Sequence, residues 1–307
     1  MTADENHSHV SIVRHNHLRF LLPSLSFASF LVSSVHADEN YFGYSFGAET
    51  LPKGKWELYS WTTGRFGKGT GSYSGFDLKQ EVEYGVTDRF QIALEWKENH
   101  TYFTGGAGQE SAGSSTPARR NRFSFVGNGL ELKYAFSSPY KDPVGIALFV
   151  EPECALTDSP SGDKFLEWEV ETRLLVQKNF LEDKLIAVLN LTNETEWERP
   201  RPSHGESFTT NFKPEITTGV SYRFASNWFV GLETRYATQL ADANIRNQVD
   251  WAFSIGPALH YAVGRWWATL TWLPQVAGWH TDGSRSGSLD LNSHERNEIR
   301  LKIGLNF

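Results

Sequence analysis

The closing stretch Ile299-Arg300-Leu301-Lys302-Ile303-Gly304-Leu305-Asn306-Phe307 alternates without a break. In an extended chain Ile299, Leu301, Ile303, Leu305 and Phe307 share one face, and Arg300, Lys302, Gly304 and Asn306 share the other. Such a strand needs an apolar environment on one side and a polar one on the other.

The same period of two recurs upstream, from Lys53 onward. Phe76, Leu78, Val82 and Tyr84 oppose Asp77, Lys79, Glu81 and Glu83, while Phe90, Ile92, Leu94 and Trp96 oppose Arg89, Gln91, Glu95 and Lys97. Trp168, Val170, Leu174 and Val176 oppose Glu167, Glu169, Glu171 and Arg173. Phe212, Ile216, Val220 and Tyr222 oppose Lys213, Glu215 and Arg223, and Trp228, Val230, Leu232 and Tyr236 oppose Glu233 and Arg235. The connections alternate in length. Gly85 to Asp88, Phe180 to Asp183, Ala225-Ser226 and Val263-Gly264 are short, whereas Thr104 to Asn121, Glu198 to Thr210, Ala241 to Asn247 and Thr281 to His294 are long. Short turns at one end and long loops at the other describe an up-and-down barrel. In hydrocarbon every backbone amide must pair within the protein, so the sheet has to close. The pattern therefore predicts an all-β chain, a transmembrane antiparallel up-and-down β-barrel of about twelve strands with both termini at the short-turn end. Pro152, Pro214, Pro257 and Pro274 fall inside these strands, where the missing N–H predicts bulges or strand ends.

Composition agrees with that environment. Aromatic residues make up 14% of the chain although hydrophobic residues total only 39%, a balance suited to interfacial girdles and a lipid-facing band. Most of Trp56, Trp168, Trp197, Trp228, Trp251, Trp266 and Trp272 fall near strand ends, where anchoring at the interface explains them better than a sugar-stacking track. The single cysteine, Cys154, excludes an intramolecular disulfide framework. The net charge of −7, with dispersed acids, argues against a nucleic-acid partner.

At the N-terminus, Phe20 to Val35 is apolar, follows Arg14 and Arg19, and ends at Val35-His36-Ala37 with small residues at the −3 and −1 positions. This reads as a secretory leader over residues 1–37 ahead of a barrel over 38–307. His7, His9, His15 and His17 would be discarded with it. No cysteine stands at the cleavage point for a lipid anchor, and no other stretch is long and apolar enough to span as a helix.

The polar faces would line the lumen with Glu81, Glu83, Glu95, Lys97, Glu131, Lys133, Glu151, Glu167, Glu169, Glu171, Arg173, Glu215, Arg223, Glu233, Arg235, Arg300 and Lys302. Two uses fit them. One is a water-filled path with a modest acidic bias, suited to cations or small neutral polar solutes. The other is a network of cross-strand ion pairs that fills and stiffens the barrel. Glu167, Glu169 and Glu171 lie about 7 Å apart along one face. They lack a calcium-loop pattern, so neither a metal nor another cofactor is expected. The one Ser/His pair on a shared inward face, Ser254 and His260, is separated by about 20 Å of strand. That distance is too great for nucleophile and base, and no enzyme is expected.

Several stretches resemble outer-membrane barrel and porin-like proteins, including an uncharacterised family of about this length. They are Pro52-Lys53-Gly54-Lys55-Trp56-Glu57, Glu83-Tyr84-Gly85-Val86-Thr87-Asp88-Arg89-Phe90, Gly256-Pro257-Ala258-Leu259-His260-Tyr261 and Arg265-Trp266-Trp267-Ala268-Thr269-Leu270. The terminal Ile303-Gly304-Leu305-Asn306-Phe307 resembles the signal read by the barrel assembly machinery, with Ile303, Leu305 and Phe307 as its apolar face. The resemblance implies location in the cell outer membrane, with outer-membrane lipid and the assembly machinery as partners. It implies no particular solute. Channel, occluded adhesion barrel and outer-membrane enzyme remain separate expectations in that order, and oligomeric state is open.

Overall fold

The computed structural model describes residues 40–105, 119–159, 164–198, 209–283 and 287–307. The leader expected over 1–37 and most of the loop expected over Thr104 to Asn121 lie outside them.

Among the described residues twelve strands form. They are β1 (Trp56–Phe66), β2 (Ser72–Thr87), β3 (Phe90–Thr104) and β4 (Arg119–Ser137). Next come β5 (Gly145–Thr157), β6 (Lys164–Phe180), β7 (Leu185–Glu198) and β8 (Thr209–Ala225). The last are β9 (Trp228–Leu240), β10 (Gln248–Val263), β11 (Trp266–His280) and β12 (Asn297–Asn306). Each strand pairs antiparallel with its neighbour in sequence, and β1 closes the barrel on β12. Closure extends past the strand ends, where Trp56 and Phe307 exchange backbone hydrogen bonds of 3.0 and 2.9 Å.

Connections are mostly short at one end and long at the other, as the sequence predicts, with residues 138–144 between β4 and β5 as the exception at the short end. Turns of two residues join β2 to β3, β8 to β9 and β10 to β11, and residues 181–184 join β6 to β7. At the opposite end, residues 105–118, 199–208, 241–247 and 281–296 form the longer connections. We call these the turn end and the loop end.

Alternation sorts the side chains by face. Leu94, Phe123, Leu232, Leu270, Leu301 and Ile303 point outward and are exposed, whereas Lys79, Glu81, Glu95, Glu131, Glu233 and Lys302 point inward and are buried. Outward aromatic residues gather at the turn end, where Trp56 packs on Tyr84 and Trp228 on Tyr261, each with ring centroids 4.5 Å apart. Trp168 and Trp197 are exposed near the loop end. Aromatic residues at both rims of an apolar outer face are what a bilayer selects.

The prolines depart from expectation. All four lie within strands rather than at strand ends, and a bulge occurs only near one pair of them. β5 keeps Pro152 opposite Val170 of β6, but its pairing with β4 skips Leu130 and Glu131. Pro214 stays opposite Asn193 while the β8–β9 pairing jumps from Phe212 to Glu215. Pro257 and Pro274 fall in one interruption between β10 and β11, from Ser254 to Ala258, beside a bulge at Phe253/Ser254. A proline lacks one donor, so leaving one side of its strand unpaired accommodates it without a break in the wall.

An arginine on the outer face should be costly. Leu301→Arg, at the middle of β12, is expected to destabilise the folded barrel in lipid by about 2–4 kcal/mol, the scale for a lipid-facing cation near the midplane. Reversible denaturant unfolding in vesicles checks this, and an unshifted midpoint would contradict a lipid-facing Leu301.

Candidate functional site

The interior is not an empty tube. Residues 40–51, which precede β1, are almost entirely buried. Their backbone is bound by inward side chains from distant strands. The Asn40 carbonyl accepts from Thr269 of β11. Gly43, Tyr44 and Ser45 donate their N–H groups to Glu233 of β9 at 3.0, 2.8 and 2.5 Å. Phe46 donates to Asn190 of β7 at 2.6 Å and accepts back from the same amide at 3.0 Å. Ala48 donates to Gln177 of β6 and Leu51 to Gln91 of β3, each at 2.8 Å. The segment therefore crosses the lumen from one wall to the other. Buried amides demand such partners, because an unpaired one costs as much as a lost hydrogen bond.

The aromatic side chains of this arch fill the turn-end half of the barrel. Tyr41 and Phe42 cluster with Ile186, Val188, Phe229 and Ala258, while Phe46 and Ala48 cluster with Ala135, Ala147, Phe149 and Leu175. The wall is shaped to receive them. A Cβ at Gly219 would lie 2.6 Å from the Phe42 ring, so the ring occupies space that only glycine leaves. At the apex, Tyr44 donates its hydroxyl to Glu298 at 2.7 Å, and Arg300 donates to the Gly43 carbonyl at 3.1 Å. Burial and the neighbouring Glu298 carboxylate push the Tyr44 hydroxyl pKa up, so the phenol stays protonated as that donor.

Around the arch the inward charges pair across strands. Lys79 is the hub, reaching Glu131 at 2.6 Å, Glu151 at 3.3 Å and Glu81 at 3.4 Å, and also bonding Glu95. Lys97 bridges Glu95 at 3.2 Å and Glu151 at 3.7 Å, and bonds Glu153. Arg173 binds Glu171, and Arg235 spans Glu215 at 2.6 Å and Glu298 at 2.9 Å. Trp61 lies inward under three cations, with Arg300, Lys79 and Lys302 at 4.2, 4.7 and 5.3 Å from its ring.

Above these layers, at the loop end, lies a cavity of about 870 Å³. Of the seventeen charged residues expected to line the lumen, seven line this cavity: Lys97, Glu167, Glu169, Glu171, Glu215, Arg235 and Arg300. The other ten also face inward but do not line it. Glu81, Glu83, Glu95, Glu131, Lys133, Glu151, Glu233 and Lys302 are buried among the ion pairs and the arch, while Arg173 and Arg223 are partly exposed. Away from the cavity the lumen is filled by the cross-strand ion pairs together with the N-terminal arch. Arg65, Glu194, Glu196 and Glu298 line the cavity and were missed by the sequence reading. Glu194 and Glu196 continue the inward period of β7, which is the signal available for them. Among the described residues, fifteen carboxylates face seven Lys or Arg side chains around the cavity, so their field favours cations.

His260 is a packing residue. Its Nδ1 lies 2.7 Å from the Thr269 hydroxyl, and its ring meets Tyr41, Phe229 and Trp267 with centroids 5.0 to 6.1 Å apart. Ser254 is not among its partners. Glu167, Glu169 and Glu196 offer carboxylate oxygens within 4.8 Å of one another, but Lys213, which bonds Glu196 and reaches Glu194 at 3.2 Å, supplies positive charge beside them.

Removing the hub cation should expose its importance. Lys79→Met leaves several buried carboxylates without their shared partner and is expected to destabilise the barrel by about 3–5 kcal/mol, the usual cost of breaking a buried pair on one side. Adding Glu131→Gln should recover part of that loss. Denaturant midpoints read both, and additive losses would contradict a shared network.

Known proteins share this architecture at low sequence identity. The crystal structure of an outer-membrane channel from Pseudomonas putida F1 is similar over 85% of this chain and 98% of its own, at 12% identity and a TM-score of 0.51. The NanC porin matches over 81% of this chain and 98% of its own, at 10% identity and a TM-score of 0.43. LpxR from Salmonella typhimurium matches over 81% and 99%, at 8% identity and a TM-score of 0.45. Likeness at such identity bears on the fold alone. No curated protein matches the sequence. A family described as "Family of unknown function (DUF6662)" matches residues 34–307, and the chain belongs to that family.

Proposed function

We propose that this protein is an outer-membrane facilitator for small cations or neutral polar solutes, entered through an acidic vestibule and gated by its own N-terminal arch. The outer face supports the location, since a continuous apolar band with aromatic rims needs a bilayer. In this reading the loop end faces the exterior and the turn end faces the periplasm, from which residues 40–51 enter. Ile303, Leu305 and Phe307, at the end of the closing strand, serve as the apolar face recognised during barrel assembly. The observation that carries the solute class is the excess of carboxylates around the loop-end cavity.

The arch acts as a gate because its hold on the wall is polar and divisible. Glu233 alone takes three of its amides, and asparagine or glutamine side chains take those of Phe46, Ala48 and Leu51. Water could replace each of these bonds if the segment withdrew, whereas the strand ladder would stay intact. A barrel sealed permanently by the same segment, acting through its external loops, is the second reading. It is favoured by the close fit of Phe42 against Gly219.

Planar-bilayer recordings separate the two. Deleting residues 40–50 should convert rare or small openings into sustained, larger conductance, and Glu233→Ala should shift the protein in the same direction. In the deleted protein Glu167→Gln with Glu169→Gln should lower the preference for cations over anions. A deletion variant that folds yet stays silent would overturn the facilitator reading and leave the sealed barrel.

A further inference from the structure

At the mouth of the vestibule, three potential metal ligands converge. Asp250 on β10 and Asp290 and His294 in the β11–β12 connection each offer a ligand atom, and these atoms lie within 4.8 Å of one another. Asp250 and Asp290 are 1% and 0% exposed. The Asp290 Oδ2 is buried with no hydrogen-bond partner among the described residues. A buried carboxylate oxygen without a donor is costly, and it retains lone pairs for a cation.

We propose that Asp250, Asp290 and His294 form a binding site for a transition-metal dication of the zinc type. The donor set suits this class: two carboxylates balance the charge of a dication, and an imidazole favours zinc-like metals over calcium or magnesium. Three protein ligands leave a further position open, and Asp250 and His294 both line the vestibule from which water could fill it.

The residues around the ligands hold them in place. Asp290 Oδ1 accepts from the Asn292 and Ser293 amides at 2.9 and 3.4 Å, while Asp250 Oδ1 accepts from the Gln239 amide at 3.0 Å. Gln275 clamps the Asp290 backbone, accepting from its N–H at 2.7 Å and donating to its carbonyl at 2.8 Å. Gly278 permits that seating, since a Cβ there would lie 2.6 Å from the Asp290 nitrogen. His294 Nε2 lies 3.2 Å from Asp250 Oδ1, an interaction that a shared cation would replace. Outer partners of this kind orient metal ligands and sustain affinity. Bound metal would tie residues 290 and 294 of the β11–β12 connection to the barrel wall beside the vestibule.

The test uses the full chain, folded in detergent, stripped with a chelator and dialysed against zinc chloride, with metal content measured per chain. Wild type should hold one more zinc than Asp290→Asn/His294→Ala. Each single substitution should weaken that zinc by at least about tenfold, the scale on which even outer-shell partners change affinity. His7, His9, His15 and His17 are common to all these proteins, so their contribution cancels. His294→Gln, at a partly exposed position, carries the comparison if the double variant does not fold. Equal zinc content in wild type and variants would overturn the proposal, as would calcium binding at these residues without zinc binding.

Discussion

Backbone hydrogen bonding away from water governs this molecule twice. In the wall it forces twelve strands to close on themselves, because an open edge in hydrocarbon would leave a row of unpaired groups. In the lumen the same demand falls on residues 40–51, which have no neighbouring strand. There the wall answers with side chains in place of a ladder, from Thr269, Glu233, Asn190, Gln177 and Gln91. The two solutions differ in strength. A strand is held by a cooperative ladder on both sides, while the arch backbone is held by side-chain bonds scattered over separate strands. That difference is why we assign movement to the arch and rigidity to the barrel.

Charge inside the barrel follows from filling it. Burying carboxylates is tolerable only where cations share them, and Lys79 and Lys97 sit between acids of β2 to β6 in such a shared array. Towards the loop end the arch no longer displaces water, and the acids outnumber the cations. The result is a vessel with two compartments: a packed half below, laced with ion pairs, and an open, acidic half above. The lower half is where buried ion pairs bear on stability, and the upper half is where our proposed function places the approach of solutes.

Much of the fold was legible because a period of two maps directly onto a wall with lipid on one side. Ile299 to Phe307 gave the orientation of the closing strand, and the short turns at Asp88, Ser226 and Gly264 gave the order of the ends. The prolines were misjudged because the rule considered the lost donor alone. A strand has two neighbours, and Pro152 or Pro214 can leave one pairing open while keeping the other. The arch was hidden for a deeper reason. Phe42, Tyr44 and Phe46 alternate with small residues like a short strand, but their partners lie on strands far along the chain, with 190 positions separating Gly43 from Glu233. No local pattern records such a pairing. The neutral Gln91, Gln177 and Asn190 among so many inward charges were the available trace, since an amide can accept from a backbone N–H without bringing a charge.

Amide hydrogen exchange across residues 43–51 tests the central claim most directly. In the folded protein in detergent or lipid, the amides of Gly43, Tyr44, Ser45, Phe46, Ala48 and Leu51 should exchange far more slowly than in an unstructured peptide, and Glu233→Ala should release the first three before the others. Exchange at peptide-like rates throughout this segment, with the strands still protected, would contradict an arch bound inside the barrel.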